Sequence, residues 1–97
     1  MISEVYLGLG ANLGNRVGNI ARSVEFLKTV SKDIKVSSLH ETTPQGFGEQ
    51  PPFINAVCLI RTHIGPFELL SKVHRFQIKH TGNKAFPNGP RMLDIDI

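Results

Sequence analysis

Asp94 and Asp96, with Arg91 three residues ahead of the first, are the side chains in this sequence whose types and spacing best suit chemistry. They lie in Gly89-Pro90-Arg91-Met92-Leu93-Asp94-Ile95-Asp96-Ile97. There a turn pair gives way to a period-two apolar/acidic alternation, the pattern of a strand with one buried face and one face of carboxylates. Two residues along a strand rise roughly 6.6 Å. Carboxylates so spaced can lean together and hold one Mg²⁺ each, or bracket two ions about 3.5–4 Å apart, which suits phosphate chemistry. Arg91 can then grip phosphate oxygens bidentately. A structural reading stands beside this one: alternating Asp also marks the solvated face of an edge strand, and Arg91 can pair with one of the aspartates.

A second candidate group lies earlier. The run from Glu41 to Pro52, Glu41-Thr42-Thr43-Pro44-Gln45-Gly46-Phe47-Gly48-Glu49-Gln50-Pro51-Pro52, is rich in turn-forming and polar residues and long for a hairpin connection. Loops of that length in small domains tend to be either binding loops or floppy ones. Behind it, Phe53 to Thr62 reads as a strand that is apolar on both faces, and so central in its sheet. Asn55 is its odd residue. Its amide can match the polar edge of a heterocyclic base, or it can tie down the adjacent loop. Phe53, on the same side, offers a ring for stacking or for ordinary packing.

The remaining segments supply the supports. Val5, Leu7 and Leu9 alternate with Tyr6, Gly8 and Gly10, a first strand whose glycines let a backbone or a ligand come close. The turn from Gly8 to Asn15 resembles a phosphate cradle only loosely, lacking the Lys-Ser/Thr ending of a P-loop, and reads as structural. Ile20, Val24, Leu27 and Val30 fall at helical spacing after Asn15, an available N-cap. Ile34, Val36 and Leu39 mark a second strand running to about Thr42. Gly65-Pro66 opens a second helix with the apolar stripe Leu69, Leu70, Val73 and Phe76, and Gly82 is its stop. His74 and His80 read as surface or packing histidines, His80 being the one that can come near phosphate.

The order strand, helix, strand, strand, helix, strand predicts a ferredoxin-like βαββαβ sandwich of the α/β (α+β) class. It has a four-stranded antiparallel sheet with both helices on one face. With 97 residues, 40% hydrophobic and 20% charged, residues 1–97 suit a single domain. Cys58 is the sole cysteine and sits in an apolar run, so packing is its expected role and a reducing, cytoplasmic setting the simpler expectation. No stretch is apolar enough to span a bilayer, so no membrane is expected. The net charge is +3, with Lys79, His80, Lys84 and Arg91 gathered before the acidic strand, which favours an anionic ligand. RNA-recognition sheets share the element order, but the aromatic-glycine motif is missing and the terminal strand is acidic, so nucleic acid is not an expected partner.

Taken together, Gly8-Leu9-Gly10-Ala11-Asn12-Leu13-Gly14, Glu41-Thr42-Thr43-Pro44-Gln45-Gly46, Gln50-Pro51-Pro52-Phe53-Ile54-Asn55-Ala56 and the terminal Gly89 to Ile97 segment resemble, in this order, the 6-hydroxymethyl-7,8-dihydropterin pyrophosphokinase family of folate biosynthesis. The resemblance implies transfer of pyrophosphate from ATP to the pterin hydroxymethyl oxygen, with release of AMP. It implies that Asp94 and Asp96 bind two Mg²⁺ ions, that Thr42, Thr43, Pro44, Gln45 and Asn55 read the pterin's polar edge, and that Phe53 stacks on its ring. Arg91 would steady the phosphates and Lys84 would contact the nucleotide. This chain departs from the family pattern at Asn83 and Lys84, where arginines are usual, and at Gln77, Ile78 and Lys79, where an acidic residue is usual. Family enzymes also continue past the position of Ile97 with a segment that completes the pterin and ATP sites and covers the other sheet face. A fragment or shortened relative is therefore expected, with an open sheet face that promotes self-association or marginal stability. The alternative to an enzyme is a non-catalytic pterin- or nucleotide-binding or self-assembling module of the same family.

Overall fold

A computed structural model describes residues 1–12, 14–42, 52–81 and 94–96. The chain order is β1 (Ser3–Ala11), α1 (Arg16–Thr29), β2 (Asp33–Val36), β3 (His40–Thr42), β4 (Phe53–Thr62), α2 (Pro66–Thr81) and β5 (Asp94–Asp96). All strand pairs are antiparallel, in the order β2-β4-β1-β5 with β3 also on β4. This is the expected ferredoxin-like arrangement. β4 is central, as its two-faced apolar pattern requires.

The second strand differs from its expected form. Rather than one run from Ile34 to Thr42, it is two, β2 and β3, paired along the same side of β4. Val36 lies opposite Cys58 and His40 opposite Asn55, so four steps on one strand face three on the other. One residue is therefore in excess, which is a β-bulge. Ser37 closes it: its N–H donates to the Val57 carbonyl at 2.9 Å, and its hydroxyl accepts from the Val57 N–H at 2.9 Å. Of the apolar markers for this strand, Ile34 packs on the core, whereas Val36, opposite Cys58 on the outer strand, and Leu39, in the bulged connection, are exposed.

α1 starts where Asn15 predicts. Gly14, at φ 68°, turns the chain in the left-handed region that favours glycine, and the Asn15 side chain accepts the Gly18 N–H at 2.9 Å. Ile20 and Leu27 are buried, Val24 packs on the core from its edge, and buried Val30 caps the helix end. In α2, Leu69 and Val73 are buried and Phe76 is partly so, but Leu70 is 55% exposed and does not belong to the stripe assigned to it. One residue turns the helix by roughly 100°, which carries Leu70 away from the line through Leu69, Val73 and Phe76. Phe76 stacks on Phe26 of α1 with ring centroids 4.3 Å apart, joining the two helices side by side.

The core is the contact between this helix layer and one sheet face. Leu7, Leu9 and Ala11 of β1, Ala56, Cys58 and Ile60 of β4, and Ile95 of β5 meet Ile20, Leu27, Leu69 and Val73. Polar groups inside it are partnered: the buried Thr62 hydroxyl donates to the Val30 carbonyl at 2.6 Å and accepts the Ile64 N–H at 3.1 Å. Cys58 is fully buried, and burial pushes its thiol pKa up, in keeping with a packing role. No helix among the described residues is long and apolar enough to cross a membrane.

Candidate functional site

The opposite sheet face carries the other half of each strand's alternation. In register, Gly8 pairs with Val57 and Gly10 with Asn55, while β5 places Asp96 beside Gly8 and Asp94 beside Gly10. His40 lies on the far side of Asn55 and Thr42 opposite Phe53. One rung of the sheet therefore runs His40, Asn55, Gly10, Asp94. At the usual spacing of neighbouring strands, Asn55 and Asp94 are separated by roughly 9.5 Å of backbone.

A cleft of about 390 Å³ opens on this face, walled by Thr42, Phe53, Asn55 and Val57 and floored at Gly8 and Gly10. The glycines make it possible. A Cβ at Gly10 would stand 3.1 Å from Asn55 Oδ1, tight against that wall, and 3.7 Å from Phe53 Cδ1, in ordinary contact with the other. A Cβ at Gly8 would meet nothing within 4 Å among the described residues, and Gly8 is the ladder partner of Asp96.

Asn55 is held rather than loose. Its Nδ2 donates to Thr42 Oγ1 at 2.7 Å and, at a long 3.5 Å, to the His40 carbonyl. A carbonyl can only accept, so the NH₂ end of the amide must face His40. Oδ1 is thereby turned toward Gly10, where it accepts no hydrogen bond from the described residues. The result is a pre-oriented acceptor in a shallow cleft with an aromatic ring two residues away on the same face, suited to a flat, polar-edged heterocycle.

Thr42, Phe53 and Asn55, three of the residues singled out from the sequence, thus meet in one cleft. Asp94 and Asp96 are placed by register at its glycine floor. Thr43, Pro44, Gln45, Lys84 and Arg91 lie outside the described residues. His80 stands against the Phe76 ring, centroids 4.4 Å apart, in the helix layer across the sheet from the cleft. Among the described residues no three His, Cys, Asp or Glu side chains converge as a metal cage requires.

Sequence reasoning missed two contributors. The His40 carbonyl could not be found from residue types, since any residue carries one. Arg16 could: a cation in a helix's first turn opposes the helix dipole, a sign that it answers to something else. Its Nη1 donates to the Pro52 carbonyl at 2.7 Å and lies 3.4 Å from Glu41 Oε2.

The chain is similar to known proteins over nearly its whole length. Residues 6–97 match the family model described as 7,8-dihydro-6-hydroxymethylpterin-pyrophosphokinase (HPPK). The 2-amino-4-hydroxy-6-hydroxymethyldihydropteridine pyrophosphokinase of Aquifex aeolicus is 39% identical over 97 residues, covering 99% of this chain and 60% of the relative. The Bacillus subtilis protein of the same name is 35% identical over 102 residues, covering all of this chain and 59% of the relative. The folic acid synthesis protein fol1 of Pneumocystis carinii is 38% identical over 94 residues, 96% of this chain but 13% of that protein. The chain thus spans less than two thirds of the length of each of these relatives.

Proposed function

The chain belongs to the 7,8-dihydro-6-hydroxymethylpterin-pyrophosphokinase family, and we propose that it transfers pyrophosphate from ATP to 6-hydroxymethyl-7,8-dihydropterin, releasing AMP. The observation that carries this reading is the Asn55 amide, fixed by Thr42 beside Phe53 and lying on the same rung as the Asp-x-Asp strand. In this role Asn55 Oδ1 accepts an N–H of the pterin edge, and the Phe53 ring supplies a face for the heterocycle. Thr42 holds the Asn55 amide in orientation, and Thr43, Pro44 and Gln45, outside the described residues, are assigned with it to reading the pterin's polar edge.

The reaction joins the pterin hydroxymethyl oxygen to the β-phosphorus of ATP. The bond from that phosphorus to the oxygen bridging it to the α-phosphorus breaks, AMP leaves with the bridging oxygen, and the hydroxyl proton is lost. Little covalent work falls to the protein, so alignment and charge neutralisation carry the rate. Arg91 is suited to a bidentate grip on phosphate oxygens and Lys84 to a point-charge contact with the nucleotide.

The residues present fit a hard divalent cation. Asp94 and Asp96 are oxygen donors two apart on a strand, and their ladder partners are the side-chain-free Gly10 and Gly8, with no described atom within 4 Å of a Cβ built on Gly8. Two Mg²⁺ ions held there would supply neutralisation of the phosphate charge. The test is AMP formation from ATP and hydroxymethyldihydropterin at high enzyme and Mg²⁺. Transfer by the wild type and its loss by at least about a hundredfold in Asp94→Ala is expected, whereas equal rates in the two would refute the metal role.

A second reading has its own observation. Tyr6 and Val57, 67% and 53% exposed, lie apolar on the cleft face of the sheet. They suit a pterin- or nucleotide-binding module of this family that self-associates without turnover. Pterin binding without transfer, in a species larger than a monomer by light scattering, would favour it.

A further inference from the structure

We propose that Arg16 is a positioning residue for the pterin cleft, acting through the last rungs of the β3–β4 ladder; this rests on the functional reading above. Arg16 stands in the first turn of α1, on the helix side of the sheet, and lines no part of the cleft. From there its Nη1 reaches two segments far apart in sequence, donating to the Pro52 carbonyl at 2.7 Å and pairing with Glu41 Oε2 at 3.4 Å.

Each partner is the chain neighbour of a cleft wall. Glu41 precedes Thr42, and Pro52 precedes Phe53, while Thr42 and Phe53 are themselves partners across the ladder. A single guanidinium therefore fixes the separation of the two strand ends at the rung that carries Phe53 and the Thr42 hydroxyl. That hydroxyl in turn orients Asn55. β3 has three residues and follows a bulge, so it has little ladder of its own to hold this end in place. The Arg16 side chain is 31% exposed, and its charge makes the 2.7 Å hydrogen bond to Pro52 stronger than a neutral one would be at the same exposed position. The sequence signal agrees: α1 has no acidic residue in its first turn, where the helix dipole favours one, and has Arg16 there instead.

The test compares wild type, Arg16→Ala and Arg16→Lys. Calorimetry would measure binding of 6-hydroxymethylpterin and, separately, of a non-hydrolysable ATP analogue with Mg²⁺. Amide exchange read by mass spectrometry would compare the β3–β4 ladder with the β1–β4 ladder. Arg16→Ala is expected to bind pterin about tenfold more weakly, the loss of one charge-assisted hydrogen bond, with nucleotide binding unchanged. Exchange should quicken in the β3–β4 ladder alone. Arg16→Lys keeps the charge without the fork and should fall between the two. Equal pterin affinity and equal β3–β4 exchange in wild type and Arg16→Ala would overturn the inference. If Arg16→Ala fails to fold, Arg16→Lys decides, and wild-type values in both measurements would overturn the inference. A wild type that binds no pterin would overturn the functional reading, while unchanged β3–β4 exchange in the same preparations would overturn the positioning role separately.

Discussion

The two faces of one sheet, built from the same two strands, follow opposite rules. On the helix side, β1 and β4 present Leu7, Leu9, Ala11, Ala56, Cys58 and Ile60, all buried and all shaped by packing. One residue along, the same strands present Tyr6, Gly8, Gly10, Asn55 and Val57, a face of glycines, a pinned amide and exposed apolar side chains. Burial accounts for the first set. The second is a poor way to make a stable sheet: interior glycines weaken a strand by roughly 0.5–1 kcal/mol each relative to alanine, and Tyr6 and Val57 meet water. Such a loss of stability is what the proposed binding role would require of this face.

If stability belongs to one face and recognition to the other, substitutions should divide the same way. Leu27→Ala has the largest expected effect. It empties a fully buried site of the helix layer, costs about 2–5 kcal/mol, and should lower the melting temperature by roughly 8–40 °C. A fall of only a degree or two would mean that the covered face is not the seat of stability. Gly10→Ala tests the other side. Its Cβ would crowd Asn55 Oδ1 at 3.1 Å, so pterin binding should weaken by roughly tenfold, a loss of about 1.4 kcal/mol. Strand propensity limits the melting change to a few degrees. Unchanged pterin affinity would mean that the amide has room to move and the cleft is less defined than its contacts indicate. Asn15→Ala should be smallest. It removes the acceptor for the Gly18 N–H, costs about 1 kcal/mol, and should lower melting by roughly 4–8 °C without changing pterin affinity.

The contrast between the faces also decides what could be read from the sequence. Alternation in β1 and β4 and helical spacing around Ile20, Leu27, Leu69 and Val73 are repeated signals, each enforced by burial, and they carried the fold. The capping role of Asn15 was equally legible because it is local. Leu70 misled because a residue next to a buried stripe has the same composition as one within it. The bulge at Ser37 was hidden because Val36 and Leu39 look like strand markers although both are exposed. Within the cleft, Phe53, Asn55 and the two glycines could be recognised from residue type and register. Arg16 could not be linked to it, since its partners lie 25 and 36 residues away and one of them is a backbone carbonyl. Its place in the first turn of α1 marks it as unusual but does not name its partners.

The central claim is that the glycine-floored face binds the pterin through Asn55. Its most direct test is calorimetric titration of 6-hydroxymethylpterin into wild type and Asn55→Ala, with Mg²⁺ and a non-hydrolysable ATP analogue present and the melting temperature of each protein recorded alongside. Saturable binding by the wild type is expected, at least about tenfold weaker in Asn55→Ala through the loss of one well-placed hydrogen bond, with both proteins melting within a few degrees of each other. Equal pterin affinity in a folded Asn55→Ala would contradict the claim.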